Sequence, residues 1–115
     1  MSTKYKIIIL PEAQKDIREI ILYIANELAS PQAAISLQEA LKEGIVSLAN
    51  EPERIKIVDD DPWKDAGVRK LRVKNYYIYF IISESDLSVK VMAVIYVGRD
   101  QIKQMSERNL GKENE

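Results

Sequence analysis

Residues 68–82 have the sequence VRKLRVKNYYIYFII, and this stretch decides the fold. Apolar and basic residues alternate from 68 to 73, which is the period of a strand with one face toward a core. Asn75 favours a turn, and residues 76–82 are rich in aromatic and β-branched side chains that favour a second strand. We therefore predict a β-hairpin, with Lys70, Arg72 and Lys74 on one face of its first strand.

The chain continues the hairpin into a meander. Residues 84–88 are polar and predict a hairpin loop, and the apolar residues 89–97 predict a third strand of the same antiparallel sheet. Gly98 ends that strand, residues 99–108 favour a short helix, and residues 111–115 are expected to fray. The second strand of the hairpin is apolar on both faces, so we expect the tail helix or a partner protein to cover the face away from other helices.

The segment before the hairpin predicts one strand and two helices. Residues 5–10 form an apolar, β-branched run, and Pro11 suits a first helical turn. Two stripes at helical spacing follow, the first of Ile17, Ile20, Ile21, Ile24 and Leu28, and the second of Ala34, Leu37, Leu41, Ile45 and Leu48. The join at Ser30-Pro31 is short, so the helices should pack as a hairpin.

The segment between the second helix and the β-hairpin is the least regular. Residues 54–58 favour a short strand, Asp61-Pro62 and Gly67 favour turns, and Trp63 is expected to pack on the sheet. The predicted order is β-α-α-β-β-β, an α+β fold in which a helical hairpin covers an antiparallel sheet. We expect a single domain over residues 1–110.

Composition excludes several classes of function. The chain has no histidine and no cysteine, so histidine-based acid–base catalysis, thiolate chemistry and the common zinc sites are excluded. The acidic run Asp59-Asp60-Asp61 is expected to be a solvated loop, and no metal or cofactor is predicted. The net charge is −1, so whole-protein charge does not predict nucleic-acid binding. No apolar run is long enough to cross a membrane, and we expect a cytoplasmic protein.

These segments together resemble the RelE/ParE superfamily of toxins from type II toxin–antitoxin systems. The likeness is carried, in order, by residues 11–17, Tyr23-Ile24, Pro62-Trp63-Lys64, Gly67-Val68-Arg69, residues 73–80 and residues 94–100. It covers nearly the whole chain. It implies the fold described above and a cognate antitoxin, with which the toxin would form a hetero-oligomer.

The resemblance leaves the target open, because relatives of one fold differ in function. RelE-like members cut messenger RNA on the ribosome, whereas ParE-like members poison DNA gyrase. Lys70 and Arg72 match basic positions of the RNA-cutting members. Three other positions depart from that set: Tyr77 and Asp100 stand where arginine is usual, and Met105 or Ser106 where tyrosine is usual. The long helical hairpin and these departures favour the gyrase poison.

Either target would be met through one surface. The candidate residues for that surface are Arg69, Lys70, Arg72, Lys74, Tyr77, Tyr79 and Arg99. A competing interpretation is a solvated strand face whose charges protect an edge, with tyrosines that pack in the ordinary way. A third hypothesis is a non-toxic orphan relative that acts as a protein-interaction module. Whether the chain is an enzyme depends on which hypothesis holds.

Overall fold

The computed structural model describes residues 4–107, apart from the side chain of residue 102. The elements are the strands β1 (Lys6–Ile9), β2 (Arg69–Val73), β3 (Tyr76–Ser83) and β4 (Ser88–Tyr96), and the helices α1 (Pro11–Leu22), α2 (Pro31–Ser47) and α3 (Gln101–Ser106). Pro11 and Pro31 each stand in a first helical turn, where the missing N–H costs nothing. The predicted element order is confirmed. The predicted domain end at residue 110 and the tail 111–115 lie outside the described residues.

The sheet has the strand order β1-β4-β3-β2. β2, β3 and β4 form the predicted antiparallel meander, and a bulge between Tyr79 and Phe80 shifts its register. β1 joins the other edge of β4 in parallel, with Ile9 opposite Val91, so the four-stranded sheet is mixed. The sequence did not specify this pairing, because an isolated apolar run carries no information about its partner strand.

Just past the end of β1, a side chain of α1 pairs with the backbone at the edge of β4. The carboxylate of Asp16 accepts a hydrogen bond from the backbone N–H of Val94 at 2.9 Å. Next to it, Leu10 N–H donates to Val91 O at 2.9 Å, which is the last bond of the β1–β4 ladder. The helix side chain therefore takes the place that a longer β1 would have filled, and the N–H of Val94 stays paired.

The first helix departs from the single apolar stripe predicted from Ile17 to Leu28. The α-helix ends at Leu22, and a π-helical turn, Tyr23–Glu27, follows it, closed by a bond from Leu28 N–H to Tyr23 O of 3.2 Å. The wider turn changes the helical phase, so Leu28 leaves the apolar stripe and is 56% exposed. Ala29 then adopts a left-handed backbone with φ 49°, which ends the helical segment.

Two apolar clusters lie on opposite faces of the sheet. The larger is formed by the helices and one face, and includes Leu37, Leu41 and Ile45 of α2 with Ile78 and Phe80 of β3. At Gly44 the helix approaches β2 so closely that a β-carbon would lie 2.7 Å from Val73 Cγ2. The apolar stripe predicted for α2 is thus confirmed as core.

The second cluster lies on the face away from the helical hairpin. It contains Val68, Tyr79 and Met92, and Met105 of α3 packs against them, 2% exposed. Trp63 also packs against this cluster, as expected. The tail helix and the loop before β2 therefore cover the face that the sequence left without cover.

The loop between α2 and β2 contains no strand at residues 54–58, so that prediction is wrong. Pro52–Arg54 is a turn of 3-10 helix, and Ile57 makes only an isolated bridge to Arg69. Val58 N–H donates to Val68 O at 2.9 Å, so the loop follows the edge of β2 without forming a ladder. Within residues 4–107, no helix is long and apolar enough to cross a bilayer.

Candidate functional site

The hairpin of β2 and β3 brings cations and phenols together on the face away from the helical hairpin. Lys70 is opposite Tyr79 and Arg72 is opposite Tyr77 in the strand register. Side chains of opposite residues lie on the same face of a sheet. Four of the seven candidate residues therefore lie side by side: the sequence predicted the common face of Lys70 and Arg72, and the strand register adds the two tyrosines.

The contacts within this group are direct. Lys70 Nζ lies 4.3 Å from the centre of the Tyr77 ring, and the guanidinium carbon of Arg72 lies 5.9 Å from the same centre. The Tyr77 and Tyr79 rings meet edge to face with centres 6.3 Å apart. Tyr77 therefore lies beneath two cations, an arrangement that holds each cation by about 0.5–1 kcal/mol while leaving its charge exposed.

Lys74 and Arg99 lie at one end of this face. Lys74, predicted on the face of the first strand, lies instead in the β2–β3 turn with φ 52°, and its carbonyl oxygen accepts a hydrogen bond from Arg72 Nε at 2.8 Å. Arg99 follows β4, and Val97 N–H donates to Asn75 O at 2.9 Å, which ties the two turns together. We call Lys70, Arg72, Lys74, Tyr77, Tyr79 and Arg99 the cationic face.

The four cations of this face are Lys70, Arg72, Lys74 and Arg99. None of the four forms an ion pair with a carboxylate of residues 4–107. Asp100, a neighbour with which Arg99 could have paired, instead accepts a hydrogen bond from Lys103 N–H and caps α3. The face can therefore attract an anionic group without first breaking an internal salt bridge.

Arg69, the seventh candidate, lies apart from the cationic face. It alternates with Lys70 along β2 and so lies on the other face of the strand. Its guanidinium donates to Ile55 O at 2.6 Å and to Glu53 O at 3.2 Å. These bonds tie the loop before β2 to the sheet edge. The guanidinium of Arg69 is therefore engaged by backbone carbonyl oxygens of that loop.

A small cleft opens beside the cationic face, lined in part by Asp60, Trp63, Lys70, Tyr79 and Gln101. Its volume is about 30 Å³, which is room for no more than a few water molecules. The cleft is too small for a metabolite or a nucleotide.

Gln101 is one of two residues of this site that could not be identified from the sequence. Its side chain accepts a hydrogen bond from the Tyr79 hydroxyl at 2.8 Å. A glutamine at the start of a short helix has no pattern that distinguishes it from a solvated one. Asp60 was missed in the same way, since it was seen only as one of three loop acids.

Tyr79 is held in its neutral form. Burial raises the pKa of its hydroxyl to about 12, and the proximity of Tyr77 and Asp60 adds to the rise. The hydroxyl is therefore protonated at neutral pH, where it donates to Gln101. It cannot serve as a general base under those conditions.

We predict that Tyr79→Phe removes one of the tyrosine ionisations that occur at the highest pH. Ultraviolet difference absorbance, recorded as the pH is raised from 9 to 13, measures these ionisations. The unfolded pKa is about 10, below the folded value, so the neutral phenol's contribution to stability is complete below pH 10 and lost as the pH rises toward 12. Tyr5, bonded to Glu53, also has its pKa raised to about 12, so Tyr5→Phe is the matched control. An unchanged late phase in Tyr79→Phe would contradict the burial of this hydroxyl.

Comparison with known proteins places this chain in a family. Residues 7–101 match the family model described as the ParE toxin of the type II toxin–antitoxin system parDE. No curated protein sequence matches the chain. Among solved structures, the chromosomal ParDE system of P. aeruginosa gives a TM-score of 0.69 at 16% identity, over 84% of this chain and 99% of that one.

Two further structures share the fold. The RelBE2 toxin–antitoxin complex of Mycobacterium tuberculosis gives a TM-score of 0.59 at 19% identity, over 81% of this chain and 98% of that one. A mutant of the E. coli toxin RelE in the free state gives a TM-score of 0.58 at 16% identity, over 88% of this chain and 92% of that one. These likenesses support the α+β fold, and the family match covers more than half of the chain. The chain therefore belongs to the ParE toxin family of type II toxin–antitoxin systems.

Proposed function

We propose that this toxin arrests bacterial growth by a ParE-like mechanism, in which the cationic face binds DNA gyrase and no bond is broken by the toxin itself. The proposal assigns Lys70, Arg72, Lys74, Tyr77, Tyr79 and Arg99 to target binding. The cations supply attraction to an anionic surface, and the half-buried Tyr77 supplies rigid contact area, whereas Tyr79, 4% exposed, supports the face from beneath.

The observation that carries the choice of gyrase concerns the three positions at which RNA-cutting relatives have arginine, arginine and tyrosine. Here Tyr77 supports two cations, Asp100 caps α3, and Met105 is buried in the second apolar cluster. Ser106, the alternative to Met105, donates its hydroxyl to Lys103 O at 2.8 Å. The side chains at these three positions make structural contacts, and none of them is arranged to stabilise or protonate a phosphate. Surface binding therefore fits the site better than RNA cleavage does.

We further propose a cognate antitoxin that binds this toxin in a hetero-oligomer. The P. aeruginosa and M. tuberculosis neighbours come from toxin–antitoxin systems, and this chain shares their fold. An antitoxin that covers the cationic face would block its access to the target. Toxin expressed alone and toxin expressed with the product of the adjacent gene should therefore differ in their effect on growth.

The test of this proposal has a growth stage and a target stage. Induction of the toxin alone should arrest growth of the host bacterium, and co-expression of the antitoxin should restore it. The purified toxin should then inhibit supercoiling by gyrase or trap cleaved DNA on it. Translating ribosomes incubated with the same preparation should keep their messenger RNA intact.

Two results would overturn the proposal in different ways. Normal growth despite verified folded expression would favour a non-toxic interaction module. Cleavage of messenger RNA only on translating ribosomes, with gyrase unaffected, would make the protein a RelE-like endoribonuclease that uses Lys70 and Arg72 near the phosphate.

A further inference from the structure

The carboxamide of Gln101 joins three separate parts of the site. Its Nε2 donates to Tyr96 O at 2.7 Å and to Arg99 O at 2.8 Å. Its Oε1 accepts from the Tyr79 hydroxyl at 2.8 Å. The end of β4, the loop that carries Arg99, and the middle of β3 thus meet at one side chain.

These contacts use both amide hydrogens and the carbonyl oxygen of the side chain. A glutamine amide offers two N–H donors and one oxygen acceptor. Aspartate, glutamate and serine cannot reproduce this set, since a carboxylate has no donor and a hydroxyl has only one. The arrangement therefore requires a carboxamide on a side chain as long as that of glutamine.

The Arg99 loop lies between two anchored neighbours: Val97 N–H donates to Asn75 O at 2.9 Å, and Gln104 N–H donates to Asp100 O at 2.9 Å. Arg99 N–H donates to Tyr96 O at 3.0 Å, the same oxygen that Gln101 contacts. Within residues 4–107 the Arg99 side chain forms no ion pair, and the residue is exposed. The region that this cation can reach is consequently limited only by the position of its backbone, and the carbonyl oxygen of that backbone accepts a hydrogen bond from Gln101.

We propose that Gln101 is a positioning residue of the cationic face: its carboxamide fixes the Arg99 backbone and couples it to Tyr79, so that Arg99 is held in register with the strand cations. Tyr79 is the cross-strand neighbour of Lys70, so the coupling reaches the β2 side of the face. Gln101 itself need not touch the target. The inference rests on the proposed function, in which this face binds the target.

The experiment compares Gln101→Ala and Gln101→Glu with the wild type and with Gln104→Ala. Glutamate keeps an acceptor for the Tyr79 hydroxyl but loses both donors to the carbonyl oxygens. Gln104 lies on the same helix, and among the described residues its side chain makes no hydrogen bond, which makes it the matched control. The readouts are backbone ¹⁵N order parameters of residues 97–99, thermal unfolding, and the toxin level that halves the growth rate.

We expect both Gln101 variants to lower the order parameter at Arg99 from about 0.85 to below about 0.6. The toxin level needed for half-inhibition should rise about tenfold, since two hydrogen bonds that fix one contact are lost. The midpoint of unfolding should stay within about 5 °C of the wild type. Gln104→Ala should match the wild type in all three readouts.

Rigid Arg99 in both variants would show that Gln101 does not hold the loop and would end the proposal. A mobile Arg99 with unchanged potency would also end it, because the position of Arg99 would then not matter to the target. Wild-type behaviour of Gln101→Glu alone would show that only the Tyr79 contact counts, which contradicts the role of the two donors. An inert wild type would refute the proposed function, while the order parameters would still decide whether Gln101 fixes Arg99.

Discussion

Replacement of Phe80 by alanine is expected to lower the free energy of unfolding by about 3–5 kcal/mol. Phe80 is fully buried on β3 at the face of the sheet that packs against α1 and α2. Truncation removes a large apolar side chain and leaves a cavity that the neighbours, held by two helices and a sheet, fill only in part. Natural domains are stable by about 5–15 kcal/mol, so this single change removes a large part of the total.

Urea unfolding followed by circular dichroism measures this effect. The matched control is Tyr23→Ala, an aromatic truncation at a residue that is 55% exposed, which should cost about 0.5 kcal/mol or less. If the variant is too unstable to purify, Phe80→Leu provides a smaller cavity and should lie between the wild type and alanine. A loss below about 1 kcal/mol for Phe80→Ala would contradict the placement of this ring at the centre of the core.

The same core explains why so much of the fold could be predicted from the sequence. The stripes of α2 and the alternation in β2 record which side chains must leave water, and that pattern is local to each element. Phe80 and Ile78 fall on the buried face because residues two apart on a strand point the same way. Element order and the meander follow from such patterns together with short connections.

Features that depend on distant contacts could not be predicted in the same way. The parallel pairing of β1 with β4 joins residues about eighty positions apart, and β1 has the same apolar composition whichever strand it joins. The π-helical turn at Tyr23–Glu27 changes the phase of the helix without any proline or glycine to indicate it. Leu28 was therefore placed in the core by its spacing, whereas the wider turn exposes it.

The residues of the candidate site also separate into those predictable from local sequence patterns and those that depend on distant contacts. Lys70 and Arg72 were correctly predicted on one face because strand periodicity sets it, and the register of β2 with β3 adds Tyr77 and Tyr79 to that face. Arg69 differs from Lys70 only by one step of that period, and it lies on the opposite face with its guanidinium on loop carbonyls. Gln101 could not be identified at all, since its three partners come together only in the folded chain.

The double variant Arg72→Ala with Arg99→Ala is expected to abolish growth inhibition without loss of the fold. Both guanidinium groups are exposed and form no ion pair with residues 4–107. The main internal loss is the bond from Arg72 Nε to Lys74 O, so stability should fall by at most about 1 kcal/mol. Each arginine that binds an anionic group on the target contributes about 1.5–3 kcal/mol, so affinity should fall about 10²- to 10⁴-fold.

Growth inhibition, inhibition of gyrase supercoiling and thermal unfolding should be measured on the same preparation, because the prediction requires the first two to fail while the third holds. The control variant Arg18→Ala with Lys42→Ala also removes two positive charges, from exposed positions on α1 and α2. It should leave growth inhibition intact. Equal loss of activity in both double variants would mean that net charge, and not the cationic face, determines binding. Loss of folding in Arg72→Ala with Arg99→Ala would instead make these arginines structural, since exposed cations without ion pairs have no physical reason to stabilise the fold by several kcal/mol.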